Sequence, residues 1–370
     1  MRIAILTNDP PAQAKGGCGV VAEMQARVLR QRGHDIHVFV ADPELEKYSA
    51  WRRLYFHLLD LRARQDLVQR ILDWEPEILL THNLTGCGWA TPKTVCRGAW
   101  LAQSGAKKIM WAHVLHDVQL FEPSGKILAQ ESWPGLRGIW RTLWAGFRRR
   151  AFGSPNVVLS PTVWLLELHK KYGFFHTAKT SILPNPINVA VSSAPSSPSS
   201  EILYVGRLDP DKGFHILLEA WNKLGADRPL LRVVGQGALV RKLEIFRNPP
   251  SDFIYCGALP HDQVLELLKT RPVVVVPSLV YENQPTIILE ALSAGCRVVA
   301  SEVGGIPETL DFAGWLAPAG DAHALMIALK RALGASADDP QTERARQTVL
   351  ARHRVEVVVD ELESILKSNL

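Results

Sequence analysis

The sequence predicts an α/β protein made of two Rossmann-like, doubly wound domains that face each other across a cleft. The chain has 370 residues, 47% of them hydrophobic and 21% charged, which suits two domains that each bury a full core. Short strand-like runs alternate with amphipathic stretches of helical length, as in parallel sheets covered by helices on both faces. A serine- and proline-rich segment, 188–200, interrupts this alternation once and is predicted to be a linker.

Each half supplies its own set of predicted strands. In the first domain, 1–187, they are 2–6, 35–40, 77–80, 108–112, 157–160 and 181–183. In the second domain, 201–352, they are 201–205, 230–234, 253–255, 272–276 and 297–300. The chain is predicted to be helical from about residue 338, and its last helix, 353–370, could return to the first domain. Open α/β sheets bind ligands beyond the carboxyl ends of their strands, so a ligand site is predicted in the cleft.

Composition and charge narrow the class of protein. The longest apolar run, 273–280, is far shorter than the roughly 20 residues that span a bilayer, and Pro277 interrupts it. The start of the chain lacks the basic and then long apolar pattern of a signal peptide. The five cysteines form no CxxC pair, which suits a reducing compartment, and the formal charge of +5 is too small and too spread to favour nucleic acid. These features predict a cytoplasmic protein that does not bind nucleic acid.

Segment 136–152 combines large apolar side chains with arginines. At helical spacing it carries Trp140, Leu143, Trp144 and Phe147, beside Arg137, Arg141, Arg148, Arg149 and Arg150. One interpretation is a core-facing helix with a solvated basic face. The other is an interfacial helix that makes peripheral contact with the inner face of a membrane. The sequence leaves both open.

A first candidate site is the glycine-containing loop between the first strand and the first helix. Gly16, Gly17 and Gly19 would let backbone N–H groups approach an anionic or hydroxylated ligand at the start of the helix. Such loops are equally often plain tight turns, and the pattern is not GxGxxG. By itself this loop is a weak sign of binding.

A second candidate loop follows the first strand of the second domain. Gly206, Arg207 and Lys212 lie at the carboxyl end of this strand, so two cations are placed where a diphosphate would lie. The alternative is that Arg207 and Lys212 pair with Asp209 or Asp211 in the same loop.

A third candidate segment carries two glutamates eight positions apart, Glu282 and Glu290. If a helix begins near Gln284, Glu290 lies in its second turn and Glu282 in the preceding loop. The N–H groups around Asn283 to Thr286 would then point at the same ligand with the positive end of the helix dipole. Carboxylates suit sugar hydroxyls because each accepts several hydrogen bonds. On spacing alone, two such glutamates are commonplace.

Seven short motifs occur in order through nearly the whole chain. They are GGCGVV from residue 16, LHD at 115–117, ILPNPIN at 182–188, VGRLDPDKG at 205–213, VVGQG at 233–237, ENQPTIILEALSAG at 282–295 and GGIPE at 304–308. This pattern resembles the retaining GT-B glycosyltransferases of the glycogen-synthase-like, family 4 type. The resemblance implies a GT-B fold, with an acceptor-side first domain and a nucleotide-sugar donor domain second.

The resemblance also implies a role for each candidate residue. Arg207 and Lys212 would hold the donor diphosphate, Glu290 the ribose and Glu282 the transferred sugar, with His116 beside that sugar. The implied catalytic residues are His116, Arg207, Lys212 and Glu282, and the implied donor-binding residues are Gly16, Gly17, Gly206, Gly235, Gly237, Asn283, Gln284, Pro285, Thr286 and Glu290. Gly235 and Gly237 would shape the pocket for the base. Asp117, next to His116, could orient its ring.

We expect no metal and no other cofactor. Arg207 and Lys212 would replace a divalent ion, and Asp209 and Asp211 are expected to order their own loop despite their DxD spacing. A zinc site from the histidines at 82, 113 and 116 lacks a matching acid set or a helical HExxH context. The expected partners are a UDP- or GDP-sugar donor and a glycan or lipid-linked acceptor in cell-surface glycan synthesis. The alternatives are an inactive GT-B scaffold and another GT-B enzyme such as a nucleotide-sugar epimerase.

Overall fold

The structure is a computed structural model of the full chain. It describes residues 1–8, 17–40, 60–101, 108–129, 136–189, 199–311, 313–336 and 339–370, with the backbone alone for 99–101 and 136–137. Gly16 and most of the predicted linker, 190–198, therefore lie outside the described residues. The chain divides into two compact units, one within Met1–Ile127, Ser132–Pro186 and Val355–Leu370, the other within Leu128–Glu131 and Ile187–Arg354.

The first unit contains a parallel six-stranded sheet in the order β2-β1-β3-β4-β5-β6. Its strands are β1 (Arg2–Thr7), β2 (Asp35–Val40), β3 (Ile78–Thr81), β4 (Met110–Val114), β5 (Val157–Ser160) and β6 (Lys179–Ile182). Its described helices are α1 (Gly17–Gln31), α2 (Gln65–Asp73), α3 (Thr91–Leu101), α4 (Leu136–Phe152), α5 (Val163–Lys171) and, at the end of the chain, α12 (Val355–Lys367). The buried face of α12 joins the core formed by β1, β3 and α1.

The second unit contains a second parallel six-stranded sheet in the order β12-β11-β10-β7-β8-β9. Its strands are β7 (Ile202–Val205), β8 (Leu231–Val234), β9 (Phe253–Gly257), β10 (Val273–Val276), β11 (Arg297–Ser301) and β12 (Trp315–Ala317). Its described helices are α6 (Phe214–Asn222), α7 (His261–Lys269), α8 (Thr286–Ser293), α9 (Ile306–Leu310), α10 (Ala322–Gly334) and α11 (Pro340–Arg352). Buried cores lie on both faces of this sheet, as expected for a doubly wound unit.

The eleven predicted strands are all present, with ends shifted by at most two residues. β12 was not predicted. It has three residues, of which two are only partly buried, and it lies at the sheet edge, so it lacks the continuous apolar run that marks a central parallel strand. No helix among the described residues is long and apolar enough to cross a membrane. The five cysteines are free thiols.

Helix α4 corrects the core-facing interpretation of segment 136–152. Trp140 and Phe147 are 70% and 62% exposed, whereas Arg141 and Arg148 are buried. The expected faces are therefore reversed for these residues, because Arg141 and Arg148 have partners inside the first unit, Glu122 and Trp89.

Candidate functional site

The strand order of the second sheet defines where a ligand can bind. From β7 the chain winds outward through β8 and β9, and then returns to the other side of β7 with β10. The loops that follow β7 and β10 therefore leave the sheet in opposite directions. In open α/β sheets the crevice between two such loops is the usual ligand site.

The loop after β7 carries Arg207 at its rim. The Arg207 side chain is 54% exposed, and its Nη1 donates to Asp209 Oδ2 at 2.7 Å, while its Nη2 lies 3.5 Å from Asp211 Oδ2. Asp209 also accepts from the Ala238 N–H through Oδ1 at 3.1 Å. Both acids thus order this loop, and the pairing of Arg207 within it, one of the two predicted alternatives, is present.

Lys212, from the same loop, has a partner in a different loop. Its Nζ donates to Glu282 Oε1 at 2.5 Å, across 70 positions of sequence, and Ser278 Oγ donates to the same oxygen at 2.8 Å. The Lys212 and Glu282 side chains are 24% and 19% exposed, so solvent screens the pair only in part. The Gly305 N–H donates to the Glu282 carbonyl at 2.8 Å and fixes its backbone. An ammonium and a carboxylate thus meet at the switch point between β7 and β10.

The loops after β7 and β8 lie backbone to backbone. The Leu208 N–H donates to the Gln236 carbonyl at 2.8 Å. A Cβ on Gly235, whose φ is +142°, would lie 1.9 Å from the Gly206 carbonyl oxygen, and one on Gly237 would lie 2.4 Å from that of Leu208. These glycines are required for the approach of the two loops, so the structure brings Gly206, Gly235 and Gly237 to one edge of the sheet.

Glu290 projects from helix α8 and is almost wholly buried. The helix begins at Thr286 with Pro285 as its N-cap, two residues later than predicted, and Glu290 lies in its second turn. Glu290 Oε1 is 2.9 Å from Nε2 of His261, the first residue of α7, and the Glu290 side chain is 8% exposed. This hydrogen bond raises the pKa of His261, despite partial burial. Asn283, Gln284 and Pro285 form the turn that leads from Glu282 into the helix.

The first sheet has a switch point of its own, between β1 and β3. The described part of helix α1 begins at the exposed Gly17, where an added Cβ would meet no described atom within 4 Å. His82 follows β3 and His116 follows β4, and the Nδ1 of His82 lies 2.8 Å from the Nε2 of His116 with the two rings stacked. Burial lowers the pKa of His116 to about 4, so its imidazole is neutral at neutral pH.

Asp117 belongs to a neighbouring network. Asn83 Nδ2 donates to Asp117 Oδ2 at 2.9 Å, and the Gln119 N–H donates to Oδ1 at 2.8 Å. Burial raises the pKa of Asp117 to about 6. The contact between His82 and His116 gives the His116 ring an orienting partner other than the predicted Asp117.

One set of ligand atoms in the described part of the chain could hold a metal ion. The atoms offered by Cys18, His82 and His116 lie within 4.8 Å of one another. Cys18 is the second residue of α1 among those the structure describes. His113, considered with His82 and His116 from sequence, instead contacts Thr81 Oγ1 through Nδ1 at 2.8 Å. A thiolate with imidazoles suits zinc or copper rather than the magnesium or manganese that accompany diphosphates.

Two family models match the two halves of the chain. Residues 15–191 match the model described as Glycosyltransferase Family 4, and residues 199–335 match that described as Glycosyl transferases group 1. The chain belongs to the group 1 glycosyltransferases. It is 26% identical, over 333 residues, to TuaC of Bacillus subtilis, which is named as a teichuronic acid biosynthesis glycosyltransferase, with 83% of this chain and 82% of that protein covered.

Other relatives match over a shorter span. WcaL of Escherichia coli, named as a colanic acid biosynthesis glycosyltransferase, is 29% identical over 240 residues. The match covers 61% of this chain, which spans only 55% of that relative.

Solved structures show the fold of this group 1 glycosyltransferase to be GT-B. Sucrose-phosphate synthase from Thermosynechococcus elongatus superposes with a TM-score of 0.74 at 19% identity, covering 100% of this chain and 99% of that one. Anabaena HepE in complex with UDP gives a TM-score of 0.70 at 16% identity, with 100% of both chains covered.

Sequence reasoning missed several polar neighbours of the candidate residues in this group 1 glycosyltransferase. Ser278 and His261 hold Glu282 and Glu290, and Cys18 approaches His82 and His116. Their positions along the sequence could have indicated all three residues. Each lies just beyond the carboxyl end of a predicted strand or in the first turn of the helix that follows that strand. Which of these positions meet depends on strand order, which the sequence pattern alone does not give.

The buried histidines of the first unit predict a loss of stability in acid. Burial lowers the pKa of His113 to about 3 and those of His116 and His169 to about 4, from an ordinary 6.5. The unfolded chain takes up these protons near pH 6.5 and the folded chain only near pH 4. Their contribution is therefore complete above pH 6.5 and is lost as the pH falls towards 4. Burial raises the pKa values of Asp117 and Asp60, and these two carboxyl groups act in the opposite direction, against the larger set of buried histidines.

We expect the free energy of unfolding to fall by on the order of 2–5 kcal/mol between pH 7.5 and pH 5. Urea titrations at the two pH values, followed by circular dichroism, measure it. His169→Leu removes one of the buried titrating groups, so its loss between the two pH values should be smaller. Equal unfolding free energies for the parent protein at both pH values would show that these imidazoles titrate normally.

Proposed function

We propose that this chain is a retaining glycosyltransferase that needs no metal and moves a sugar from a UDP- or GDP-sugar to a glycan or lipid-linked acceptor. We further propose that it acts in the synthesis of cell-surface polysaccharide or another glycoconjugate. The observation that carries the proposal is the meeting of Lys212 with Glu282 at the switch point, with Arg207 in the same loop as Lys212.

The two cations suit a departing nucleoside diphosphate. As the bond from sugar to diphosphate breaks, negative charge grows on the phosphate oxygens, and fixed positive groups stabilise it most when they need not reorganise. Lys212 has three N–H donors and Arg207 five, so both can bind phosphate while they keep their present carboxylate partners. Their carboxylate partners hold them in place before a donor binds.

The two glutamates suit hydroxyl groups at the two ends of the donor. Glu290 is held by His261 through Oε1, and its carboxylate has further acceptor capacity for the ribose hydroxyls. Glu282 is placed beside Lys212, where the sugar adjoins the diphosphate. The N–H groups at the start of α8, from Asn283, Gln284 and Thr286, would add the positive end of that helix. Gly206, Gly235 and Gly237 would let the base and phosphates approach the backbone.

The first unit is proposed to contribute Gly16, Gly17 and His116. A neutral His116 can donate or accept a hydrogen bond with a sugar hydroxyl without adding charge. Among the described residues, none lies within 4 Å of a Cβ built on Gly17, which fits a ligand close to this backbone.

Glu282 is poorly suited to act as a covalent nucleophile. Its Oε1 accepts from both Lys212 and Ser278, and each hydrogen bond withdraws electron density from the carboxylate. A retaining outcome is therefore better explained by a front-face displacement, in which the acceptor attacks on the side from which the diphosphate leaves.

Metal independence is supported by the partners of the DxD acids. Asp209 accepts from Arg207 and from the Ala238 N–H, and Asp211 lies beside Arg207. These contacts use the acids to order the loop that carries the cations.

The relatives support the donor and acceptor classes. HepE has been solved with UDP and with UDP-glucose, and TuaC and WcaL are named for teichuronic acid and colanic acid biosynthesis. By extension, a uridine diphosphate sugar and a surface polymer or its lipid-linked precursor are the first substrates to test.

A donor-hydrolysis screen over UDP-, GDP- and ADP-sugars, with and without EDTA, tests the proposal. We expect a UDP- or GDP-sugar to be consumed at the same rate with and without chelator, because fixed cations do the work of a metal. NMR of the transfer product should show the anomeric configuration of the donor. Consumption that stops in EDTA, or an inverted product, would contradict the metal-independent or the retaining part, and no consumption of any donor would favour the inactive scaffold.

A further inference from the structure

Helix α4 exposes a continuous apolar stripe. Ile139, Trp140, Leu143 and Phe147 are 60%, 70%, 53% and 62% exposed. At about 100° per residue, these positions fall within an arc of about 100° on one face of the helix. Single exposed apolar residues are normal, but four large ones on one helix face mark an interaction surface.

The opposite face of α4 is fixed to the first unit by arginines. Arg141 Nε donates to Glu122 Oε2 at 2.6 Å. The Arg148 guanidinium lies 4.0 Å from the ring centre of Trp89, which belongs to the segment before α3. Turning the stripe inward would remove both arginines from these partners and bring their charges to new surroundings. The helix is therefore held with its apolar stripe outward.

The last turn of α4 is part of a basic cluster. Arg149 and Arg150 are exposed, and the Arg150 carbonyl accepts from Lys93 Nζ at 2.8 Å. Desolvation lowers the pKa of Lys93, and the nearby positive charges of Arg97 and Arg150 lower it further. Segment 136–152 contains no acidic residue. Beyond it, Arg149 donates to the Gly173 carbonyl next to α5, whose Glu167 pairs with Lys170.

We propose that α4 is a docking helix for an anionic lipid bilayer. The apolar stripe would enter the boundary between headgroups and acyl chains, and the cluster of Lys93, Arg97, Arg149 and Arg150 would contact anionic headgroups. Aromatic and aliphatic side chains on one face of a helix with arginines beside them are the composition of interfacial helices. The positive charge beside the stripe favours an anionic membrane over a second copy of this chain. In a symmetric dimer the second copy would bring the same positive charges to this face, and they would repel. Its use in catalysis rests on the proposed lipid-linked acceptor, which a membrane would display.

Vesicle flotation of the full chain, without donor or acceptor, tests the surface. We expect binding to vesicles of phosphatidylcholine with phosphatidylglycerol, weak binding to phosphatidylcholine alone, and loss on raising the salt concentration. Trp140→Gln with Phe147→Gln should weaken partitioning at least about tenfold. Arg149→Gln with Arg150→Gln should weaken it most on the anionic vesicles. All four side chains are exposed, so folding should be unaffected.

Matched controls come from exposed residues elsewhere. The control for the apolar change is Val163→Gln with Ile327→Gln, which removes two exposed apolar side chains. The control for the charge change is Arg27→Gln with Arg30→Gln, which removes two exposed charges of α1. Neither pair should change binding to the vesicles. The proposal fails if the parent chain does not float with anionic vesicles, or if the α4 variants bind as it does. A dimer interface on this face would also contradict the proposal. In that case the parent chain would be a dimer, and the Trp140 and Phe147 substitutions would convert it to a monomer without altering flotation. Because no sugar is transferred in this assay, a failed donor screen would leave its result intact.

Discussion

Replacing Lys212 by alanine is expected to lower kcat for donor consumption by about 10²–10³-fold without unfolding the protein. Lys212 supplies one of two fixed positive charges at the proposed diphosphate, and the substitution also leaves Glu282 with Ser278 as its remaining donor at Oε1. Its charge is needed most when the diphosphate departs, so kcat should fall more than the KM for donor rises. Steady-state kinetics with the preferred donor measure both constants.

Two further variants test whether the loss in Lys212→Ala comes from the position and charge of this lysine. Lys223→Ala removes a lysine that is also in an ion pair, with Glu219 at 2.8 Å on the surface of α6, and should leave kcat unchanged. Lys212→Arg keeps the charge but changes its shape and should retain part of the activity. Full activity in Lys212→Ala would remove this residue from the chemistry.

Replacing Gly213 by alanine is expected to destabilise the second unit by on the order of 3 kcal/mol and to abolish activity. Gly213 follows Lys212, has a φ of +71°, and an added Cβ would lie 1.8 Å from the Pro277 carbonyl oxygen. Pro277 belongs to the loop after β10, which carries Ser278 and Glu282. The new methyl group would therefore force apart the two loops whose approach forms the candidate site. Urea unfolding and donor consumption measure the two effects.

Gly225→Ala is the matched control for backbone strain. Gly225 also has a positive φ, +98°, but an added Cβ there would meet no atom within 4 Å in the part of the chain that the structure describes. Its substitution should cost only the conformational strain, about 1 kcal/mol, and should leave activity intact. If the two alanine variants were equally stable and equally active, the close approach of the β7 and β10 loops would be refuted.

The fold could be predicted from sequence because its strands are buried and parallel. Runs such as Val273–Val276 are continuously apolar and are separated by helix-length segments, so strand and helix alternate visibly. The edge strand β12 could not be found in this way, because it is short and partly exposed. The two-residue error at the start of α8 arose from Pro285, which caps the helix rather than lying within it.

The candidate site was only partly accessible to sequence. The pairing of Arg207 with Asp209 is local and was one of two predicted alternatives. The contact of Lys212 with Glu282 spans 70 positions and depends on β10 returning to the side of β7, which no local pattern specifies. Before the structure, only the resemblance to the GT-B family placed these two side chains at one ligand.

Helix α4 shows a different limit. Its sequence offers an aromatic face and basic positions, and periodicity cannot say which of them turns inward. The orientation of the helix is set by Glu122 and Trp89, which contact Arg141 and Arg148. Both contact residues lie outside α4, earlier in the chain. A buried arginine with good partners can thus displace an apolar residue from the interior.

The central claim is that Arg207 and Lys212 bind the diphosphate of the donor, and calorimetric titration in EDTA tests it most directly. The nucleoside diphosphate of the preferred donor and the matching monophosphate are titrated into the parent protein and into Arg207→Ala with Lys212→Ala. We predict that the parent binds the diphosphate at least about tenfold more tightly than the monophosphate, and that the double variant binds the two with similar affinity. An undiminished preference for the diphosphate in the double variant would contradict the account.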